Sequence, residues 1–251
     1  MLTGGKKITD IKVYVCGSCL NHMHHAFKDI AHEVREFPSR AIFFRHDGEA
    51  YLFDTGYSKR VFENGWKSWL YNKLNPVKFE ESQSLSEQLK HDGIDLAEIK
   101  GIFISHLHPD HIGGLRDFPE SKVILSKGSW ETYKRAKLFD LVFYNLFPEN
   151  FERLVEKIDF ETNKDYFLDG SMTLLDLTGH TKGQMGLLFS EYQLLFGADF
   201  CWGMDVIDHQ LRFPARFFQK DFVAYQMTVE KVKDWQTKGV KVVVSHDKRD
   251  D

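Results

Sequence analysis

The chain has 251 residues, and its 33 Lys and Arg against 37 Asp and Glu give a formal net charge of −4 at pH 7. This slightly acidic balance lacks the basic surface that binds nucleic acids or anionic membranes, so we expect neither as a partner. Three cysteines and a polar N-terminus without the apolar core of a signal peptide predict a cytoplasmic protein. The unusual features of the composition are 12 histidines and 22 phenylalanines.

Short apolar runs alternate with segments of helical spacing along the whole chain. The runs predict strands at 11–15, 41–45, 50–53, 101–105, 122–126, 173–177, 185–189, 192–196 and 241–245. The helical spacing predicts helices over 57–74, 84–92, 128–138 and 221–237. Because both kinds of element alternate in both halves without a linker, we predict a single α/β domain over 1–251.

Two segments, 139–155 and 207–218, are crowded with aromatic residues and interrupted by prolines. One interpretation is a packed excursion whose rings belong to the core. The other is a flap whose rings line an apolar substrate pocket. On the second interpretation the candidate pocket residues are Phe143, Phe147, Phe213 and Phe217.

The segment 105–115, Ser-His-Leu-His-Pro-Asp-His-Ile-Gly-Gly-Leu, concentrates residues that bind metal ions. Neutral imidazole nitrogens and carboxylate oxygens are the ligands that zinc and similar divalent ions accept. At the end of a strand, His106 and His108 point to the same side, and the following turn can bring Asp110 and His111 to a second position. Four such residues within six positions predict a metal site.

Other predicted strands also end near ligand-type residues. The run at 50–53 is followed by Asp54, and the later runs are followed by His180, Asp199 and His246. Neighbouring strand ends in a sheet lie only about 5 Å apart. We therefore expect these side chains to converge with the 105–115 segment.

This pattern, His-x-His-x-Asp-His at 106–111 with Gly-His-Thr at 179–181, Gly-Ala-Asp at 197–199 and Ser-His at 245–246, resembles the metallo-β-lactamase superfamily. The resemblance implies a four-layer αβ/βα sandwich, the metallo-β-lactamase fold. It implies one metal ion on His106, His108 and His180, and a second on Asp110, His111 and His246. It further implies that Asp199 bridges both ions and that Asp54 is a buried support that binds neither.

Within the superfamily, the pattern is most similar to the N-acyl-homoserine lactonase-type subgroup, short hydrolases with a pocket for an acyl chain. Two positions differ from that subgroup. Its members carry a Tyr three residues after the bridging Asp, where this chain has Trp202, a candidate pocket residue. The common Gly-His-Thr-Pro-Gly-His reads Gly-His-Thr-Lys-Gly-Gln at 179–184.

The resemblance predicts a metal-dependent hydrolase that cleaves a lactone, ester or thioester in a small molecule with an apolar portion. Two divalent ions about 3.5–4 Å apart can hold a bridging hydroxide that is the nucleophile. The candidate catalytic residues are Asp199, which bridges the ions, and Asp110, which can pass a proton to the leaving alkoxide. The ligand types favour Zn²⁺, with Mn²⁺ and iron as alternatives.

Two other functions are alternatives. A phosphodiesterase or phosphonate hydrolase could use the same bimetal site, with Lys182, Arg212 and Arg216 as positive groups at its mouth. A non-catalytic binding or sensor protein would keep the ions without turnover. An exposed aromatic flap would favour a homodimer.

A second group of chemically active residues lies near the N-terminus. Cys16 and Cys19 form a Cys-x-x-Cys sequence, followed by His22, His24 and His25. A structural role, a loop at the rim of the metal site and an additional metal or redox site are the three interpretations.

Overall fold

The computed structural model describes residues 6–137, 140–162, 164–213, 215 and 219–247. Within these ranges, eleven strands form two sheets. The strands are Ile8–His22 (β1), Val34–His46 (β2), Glu49–Phe53 (β3), Val77–Lys78 (β4), Ile99–Phe103 (β5), Lys122–Ser126 (β6), Val155–Ile158 (β7), Met172–Asp176 (β8), Met185–Phe189 (β9), Leu194–Phe196 (β10) and Lys241–Val243 (β11).

Helices connect and cover these strands. The α-helices are Met23–Ala26 (α1), Trp66–Leu74 (α2), Leu85–His91 (α3), Pro109–Ile112 (α4), Lys127–Arg135 (α5), Phe151–Leu154 (α6) and Phe222–Thr237 (α7). Single turns of 3₁₀-helix lie at Lys59–Phe62, Glu81–Gln83, Leu96–Glu98, Leu115–Asp117, Tyr144–Leu146, Ser190–Tyr192 and Met204–Val206. In the described part of the chain, none of the helices has the length and apolar character needed to cross a membrane.

The larger sheet has the strand order β4-β1-β2-β3-β5-β6-β7, and the smaller sheet has the order β11-β10-β9-β8. In the larger sheet, β1, β2 and β3 pair antiparallel, whereas β3, β5, β6 and β7 are parallel neighbours. Because β3 and β5 are parallel, their carboxyl ends lie at the same edge. The chain leaving both strands at this edge carries the metal-ligand motif and the turn that supports it.

Alternating side chains in the strands place the two sheets face to face. Phe44 in β2 points toward the smaller sheet and packs against Phe189 of β9, with ring centroids 4.9 Å apart. Its neighbour Phe43 points to the opposite face and is buried in a different cluster, together with Leu85 and Leu89 of α3. The period of two along a strand therefore supplies one core between the sheets and one beneath the helices.

The smaller sheet is covered in the same way. Leu187 of β9 joins the core between the sheets, while Leu188 faces outward and is buried with Val229 and Val232 of α7. The layers are thus helix, sheet, sheet and helix. This arrangement confirms the predicted αβ/βα sandwich.

The predicted elements match the observed ones in position, and several boundaries differ. β1 is longer than predicted because it continues through a register irregularity between Val15 and Ser18, where Gly17 has a φ of 82°. The helix predicted from residue 57 begins only at Trp66, since a 3₁₀ turn comes first and Gly65 has a φ of 58°. Local backbone conformations of this kind leave little trace in hydrophobic periodicity.

The aromatic segment 139–155 belongs largely to the core. Its described part forms a 3₁₀ turn and α6, and Val142, Phe143, Leu146, Phe147 and Phe151 are buried beneath the larger sheet. These rings supply the apolar surface that this face of the sheet needs. The packed interpretation therefore describes this segment, as far as the structure describes it.

Candidate metal centre

Three imidazoles converge at the strand ends. His106 and His108 follow β5, and His180 follows β8. His108 Nδ1 lies 2.9 Å from His106 Nε2 and 3.1 Å from His180 Nε2. Ligand atoms of a tetrahedral zinc ion, each about 2.0–2.1 Å from the metal, lie about 3.3 Å from one another. The three nitrogen atoms therefore fit one ion.

A second group lies beside the first and comes from the α4 turn and the end of β11. Asp110 Oδ2 lies 3.5 Å from His111 Nε2 and 3.6 Å from His246 Nε2. All three side chains are buried. The structure therefore gathers Asp110, His111 and His246 around a second position.

Asp199 lies between the two groups. Its Oδ2 is 2.9 Å from His246 Nε2, 3.8 Å from His180 Nε2 and 4.0 Å from His106 Nε2. Its Oδ1 is 3.2 Å from His111 Nε2. One carboxylate is thus within reach of the donors of both positions.

Several buried nitrogen and oxygen atoms that could bind a metal have no hydrogen-bond partner among the described residues. They include Asp199 Oδ1, His111 Nε2, His108 Nε2 and His180 Nδ1. Buried polar atoms without partners are rare because each one costs free energy. Since Asp199 Oδ1 and His111 Nε2 both point into the centre, the donor set fits bound metal ions.

Asp54 holds two parts of the ligand segment, Ser105 and His111, through hydrogen bonds. Its carboxylate accepts hydrogen bonds from the Ser105 amide and hydroxyl and from His111 Nδ1, each at 2.7 Å. His246 similarly donates from Nδ1 to the carbonyl of Pro38 at 2.8 Å. Both hydrogen bonds turn Nε2 of the ring toward the centre, which is the orientation that a metal ligand needs.

Side chains of β2 and of the loop after β3 hold the ligand loops in place. The hydroxyl of Ser39 donates to the carbonyl of Asp110 at 2.6 Å, and that of Ser58 donates to the carbonyl of Gly113 at 2.6 Å. Buried Arg40 donates to the carbonyls of Val244 and Ser245, which precede His246. β2 therefore positions ligands that come from both sheets.

The protonation states of His108, His180 and Asp199 suit metal binding. Burial lowers the pKa of His108 to about 3 and that of His180 to about 4, so both rings are neutral at pH 7. Burial raises the pKa of the Asp199 carboxyl, but His246 and His111 outweigh it and hold this pKa well below its usual range. Neutral imidazole and ionised carboxylate are the metal-binding forms. Burial lowers the pKa of His111 and that of His246, but the neighbouring carboxylates outweigh burial and raise both, so each of these two rings would release its Nε2 proton when a metal binds.

Tyr71 of α2 contacts Asp110, and the sequence did not predict this contact. Its hydroxyl lies 3.0 Å from the Tyr57 hydroxyl and donates to Asp110 Oδ1 at 3.4 Å. The helical pattern around Tyr71 indicates a helix, but it does not show which distant loop the hydroxyl will meet. The contact fixes Asp110 through the oxygen that does not face His111.

Two differences from the lactonase-type pattern have structural counterparts. The Trp202 ring is partly buried and lies 6.0 Å from that of His180, at the edge of the metal centre. Gln184 is fully buried and donates to the carbonyl of Gly197 at 3.2 Å, two residues before Asp199. Gln184 therefore steadies the loop of the shared carboxylate.

The phenylalanines predicted for a pocket are placed differently from one another. The Phe143 ring is buried 5.7 Å from that of Tyr71, which separates it from Asp110, and Phe147 packs in the core against Phe151. Phe213 is 80% exposed. Phe217 lies outside the described residues.

The cysteine pair does not form a common site. Cys16 and Cys19 are buried in different core clusters, and both are free thiols. Burial raises the pKa of each thiol to about 12, which suppresses the reactive thiolate. The redox interpretation therefore has no support in this geometry.

Known proteins share parts of this sequence. An alignment of 126 positions, which covers 43% of this chain, shows 32% identity to the cytochrome P450 monooxygenase mpaDE' of Penicillium brevicompactum and spans only 15% of that protein. An alignment of 191 positions shows 26% identity to the N-acyl homoserine lactonase AttM of Rhizobium radiobacter and covers 72% of either chain.

Solved structures share the fold. B. thuringiensis AiiA, in a variant with N-decanoyl-L-homoserine bound at the active site, superposes with a TM-score of 0.79 at 17% identity, covering 97% of this chain and 95% of that one. AidC, a dizinc quorum-quenching lactonase in complex with a product, superposes with a TM-score of 0.70 at 17% identity. The superposition covers 97% of this chain and 88% of AidC.

The family model described as the metallo-beta-lactamase superfamily matches residues 34–233. This range includes six of the seven predicted metal ligands and the supporting Asp54. The seventh, His246, lies beyond it at the end of β11. Sequence, fold and the geometry of the centre agree, and the chain belongs to the metallo-β-lactamase superfamily.

Proposed function

We propose that this protein is a dinuclear metal-dependent hydrolase that cleaves an ester-like bond, with an acylated lactone as the first candidate substrate and esters and thioesters as the next. The observation that carries the proposal is the position of Asp199, whose two oxygens lie within 4.0 Å of donors from both histidine groups. Similarity to AttM over 72% of the chain supports the lactone in particular.

The chain offers a complete donor set for two ions. His106, His108 and His180 would hold one ion, Asp110, His111 and His246 the other, and Asp199 both. Bound there, two divalent ions supply a hydroxide that is nucleophilic near neutral pH and polarise the substrate carbonyl. Nitrogen and carboxylate donors favour Zn²⁺ over Mg²⁺ or Ca²⁺, with Mn²⁺ and iron as alternatives.

Asp110 is the group that moves the proton. Burial raises the pKa of its carboxyl, but His111 outweighs burial, and the net pKa is about 2, so the group is an anion at neutral pH. Tyr71 holds its Oδ1, which leaves Oδ2 directed toward the reaction space. Asp110 can therefore accept a proton there and deliver it to the departing alkoxide.

Trp202 is the best-placed candidate for contact with substrate. Its ring lies between His180 and Phe27, with centroids 6.0 and 6.2 Å away. The indole N–H can donate a hydrogen bond to a substrate oxygen but cannot take part in proton transfer. Its apolar face suits the acyl portion of the substrate. Phe213 is exposed and follows Leu211, which pairs with Phe27, and is the candidate to extend that surface.

A phosphodiester substrate has weaker support. Lys182 is exposed and forms an ion pair with Glu131, and Arg212 donates from Nε to the carbonyl of Phe27. Arg216 lies outside the described residues. The two described cations thus contact other groups of the protein, which favours an uncharged carbonyl over a phosphate. The complete donor set likewise favours turnover over the sensor alternative.

A substrate panel tests this proposal. Zinc-loaded protein is assayed with an N-acyl homoserine lactone, an acyl thioester and bis(p-nitrophenyl) phosphate. We expect the highest kcat/KM for the lactone, and loss of metal and activity in Asp199→Ala but not in Asp208→Ala, which removes an exposed carboxylate. Preference for the phosphate would overturn the substrate assignment, and full activity in Asp199→Ala would overturn the mechanism.

Two further properties stay predictions. A homodimer is expected only if the exposed aromatic side chains are covered in solution, and light scattering measures this directly. A cytoplasmic location rests on composition, and cell fractionation tests it.

A further inference from the structure

Four histidine rings cluster outside the metal centre, on the surface beside α1. His22 ends β1, His24 and His25 belong to α1, and His32 precedes β2. The ring centroid of His24 lies 4.0 Å from that of His32, 4.3 Å from that of His25 and 5.4 Å from that of His22. His22 and His25 are 5.0 Å apart.

The ring spacings resemble those in the buried centre, but the nitrogen atoms of these rings do not all lie within 4.8 Å of one another, so His22 and His25 have to turn to bind one ion. The centroids of His106, His108 and His180 are 4.5, 4.8 and 5.0 Å apart. Imidazoles that bind one ion through nitrogens about 2.0–2.1 Å from it have centroids about 5 Å apart. The rings of His22, His24 and His25, separated by 4.3–5.4 Å, lie in the same range.

The environment of His24 points to a ligand. Its Nδ1 is shielded from solvent and has no hydrogen-bond partner in the part of the chain that the structure describes. The neighbouring acidic side chain, Glu33, is paired with Arg35 and does not neutralise the cluster. Partial burial and then the neighbouring His32 and His25 lower the pKa of His24, which favours the neutral ring that metals bind.

We propose that His22, His24 and His25 form a second, separate binding site for a transition-metal ion such as Zn²⁺ or Cu²⁺. His32 stacks on His24 at an interplanar angle of 26° and holds that ring in place. The donors are imidazole nitrogens, which suit zinc, copper and nickel and do not suit Mg²⁺ or Ca²⁺. The exposed rings of His22 and His25 can turn their nitrogens toward an ion without disturbing the core.

The site would link the end of β1 to α1. The helix continues into Phe27, which is buried and whose ring packs 6.2 Å from that of Trp202. The bound ion would therefore hold the segment that supports the rim of the catalytic centre. Because none of its ligands belongs to that centre, its occupancy can be measured independently of hydrolysis.

Equilibrium dialysis of the zinc-loaded protein tests the site, with free Zn²⁺ raised to about 100 times the concentration that fills the catalytic centre. We expect wild type to take up a third, weaker equivalent by elemental analysis. The variant His24→Ala/His25→Ala should bind two equivalents and no third. The control His91→Ala, which removes an exposed imidazole on α3, should still bind three equivalents of zinc.

The single exchange His25→Ala, at an exposed position, provides a second test if the double variant does not fold, and should weaken the third site by more than about tenfold. Wild type that stops at two equivalents overturns the proposal. A third equivalent that persists unchanged in the cluster variants, or is lost in His91→Ala, shows zinc bound elsewhere and overturns it as well.

Discussion

Asp54 forms hydrogen bonds to the proposed metal ligand His111 and to the loop that begins at Ser105, and in our proposal it binds no metal itself. Its carboxylate accepts three hydrogen bonds, from both donors of Ser105 and from His111 Nδ1. Its φ of 59° lies in the left-handed region, which Asn adopts at least as readily as Asp. The exchange of Asp54 for Asn therefore changes hydrogen bonding with little change in backbone preference.

We expect Asp54→Asn to fold and to bind metal about 10–100-fold more weakly, because the amide nitrogen cannot accept from Ser105 or His111. Competition with a chromophoric chelator measures the affinity. Asp47→Asn is the matched control, since Asp47 is exposed and also has a positive φ, of 47°. Equal affinity in both variants would show that Asp54 does not support the ligands.

At this scale the sequence predicted the ligands better than their neighbours. Imidazoles and carboxylates at successive strand ends share a chemistry that can be recognised from spacing. Tyr71 and Arg40 contact residues that are distant in the chain, so only the folded arrangement shows their roles. Trp202 could be located by counting from Asp199, yet its contact with His180 depends on the loop conformation.

At the scale of elements, the turn after β3 packs tightly against β1 and the ligand loop. A Cβ added at Gly56, whose φ is 64°, would lie 2.1 Å from the Cβ of Cys16. Thr55 in the same turn donates to the carbonyl of His111 through its amide at 2.7 Å. A glycine at this position therefore lets β1, β3 and the metal-binding loop come together.

We expect Gly56→Ala to destabilise the protein by about 1–3 kcal/mol more than Gly48→Ala. Gly48 also has a positive φ, of 87°, but an added Cβ would meet no atom within 4 Å. The difference between the two variants therefore isolates the clash from the backbone strain. Urea unfolding of both variants measures it, and equal losses of stability would contradict the packing argument.

Strand positions were predictable because buried strands are rich in branched and aromatic residues. The start of α2 and the irregularity in β1 between Val15 and Ser18 were not predictable, since each depends on one glycine with a positive φ. The aromatic segment 139–155 allowed two interpretations because core rings and pocket rings have the same composition. Only the packing of its described part distinguishes them.

At the scale of the whole molecule, the reactivity of the three cysteines shows whether the sandwich is folded. Cys16, Cys19 and Cys201 are buried free thiols, and burial raises the pKa of each to about 12. A raised pKa keeps the thiol protonated, and thus unreactive, throughout the neutral and mildly alkaline range.

We therefore expect the native protein to show no rapid reaction with Ellman's reagent between pH 7 and 9, and three reactive thiols after unfolding in guanidinium. Absorbance at successive pH values follows both states. A thiol that reacts rapidly in the native protein at pH 7 would revive a redox role for the Cys-x-x-Cys sequence.

We expect two ions that share Asp199 to give this chain its hydrolase activity. The most direct test of this expectation is the initial rate of lactone hydrolysis while metal-free protein is titrated with Zn²⁺. We predict almost no activity without metal and a rise that ends near two equivalents per chain. Activity that does not depend on zinc, including full activity in the metal-free protein, would contradict the dinuclear mechanism.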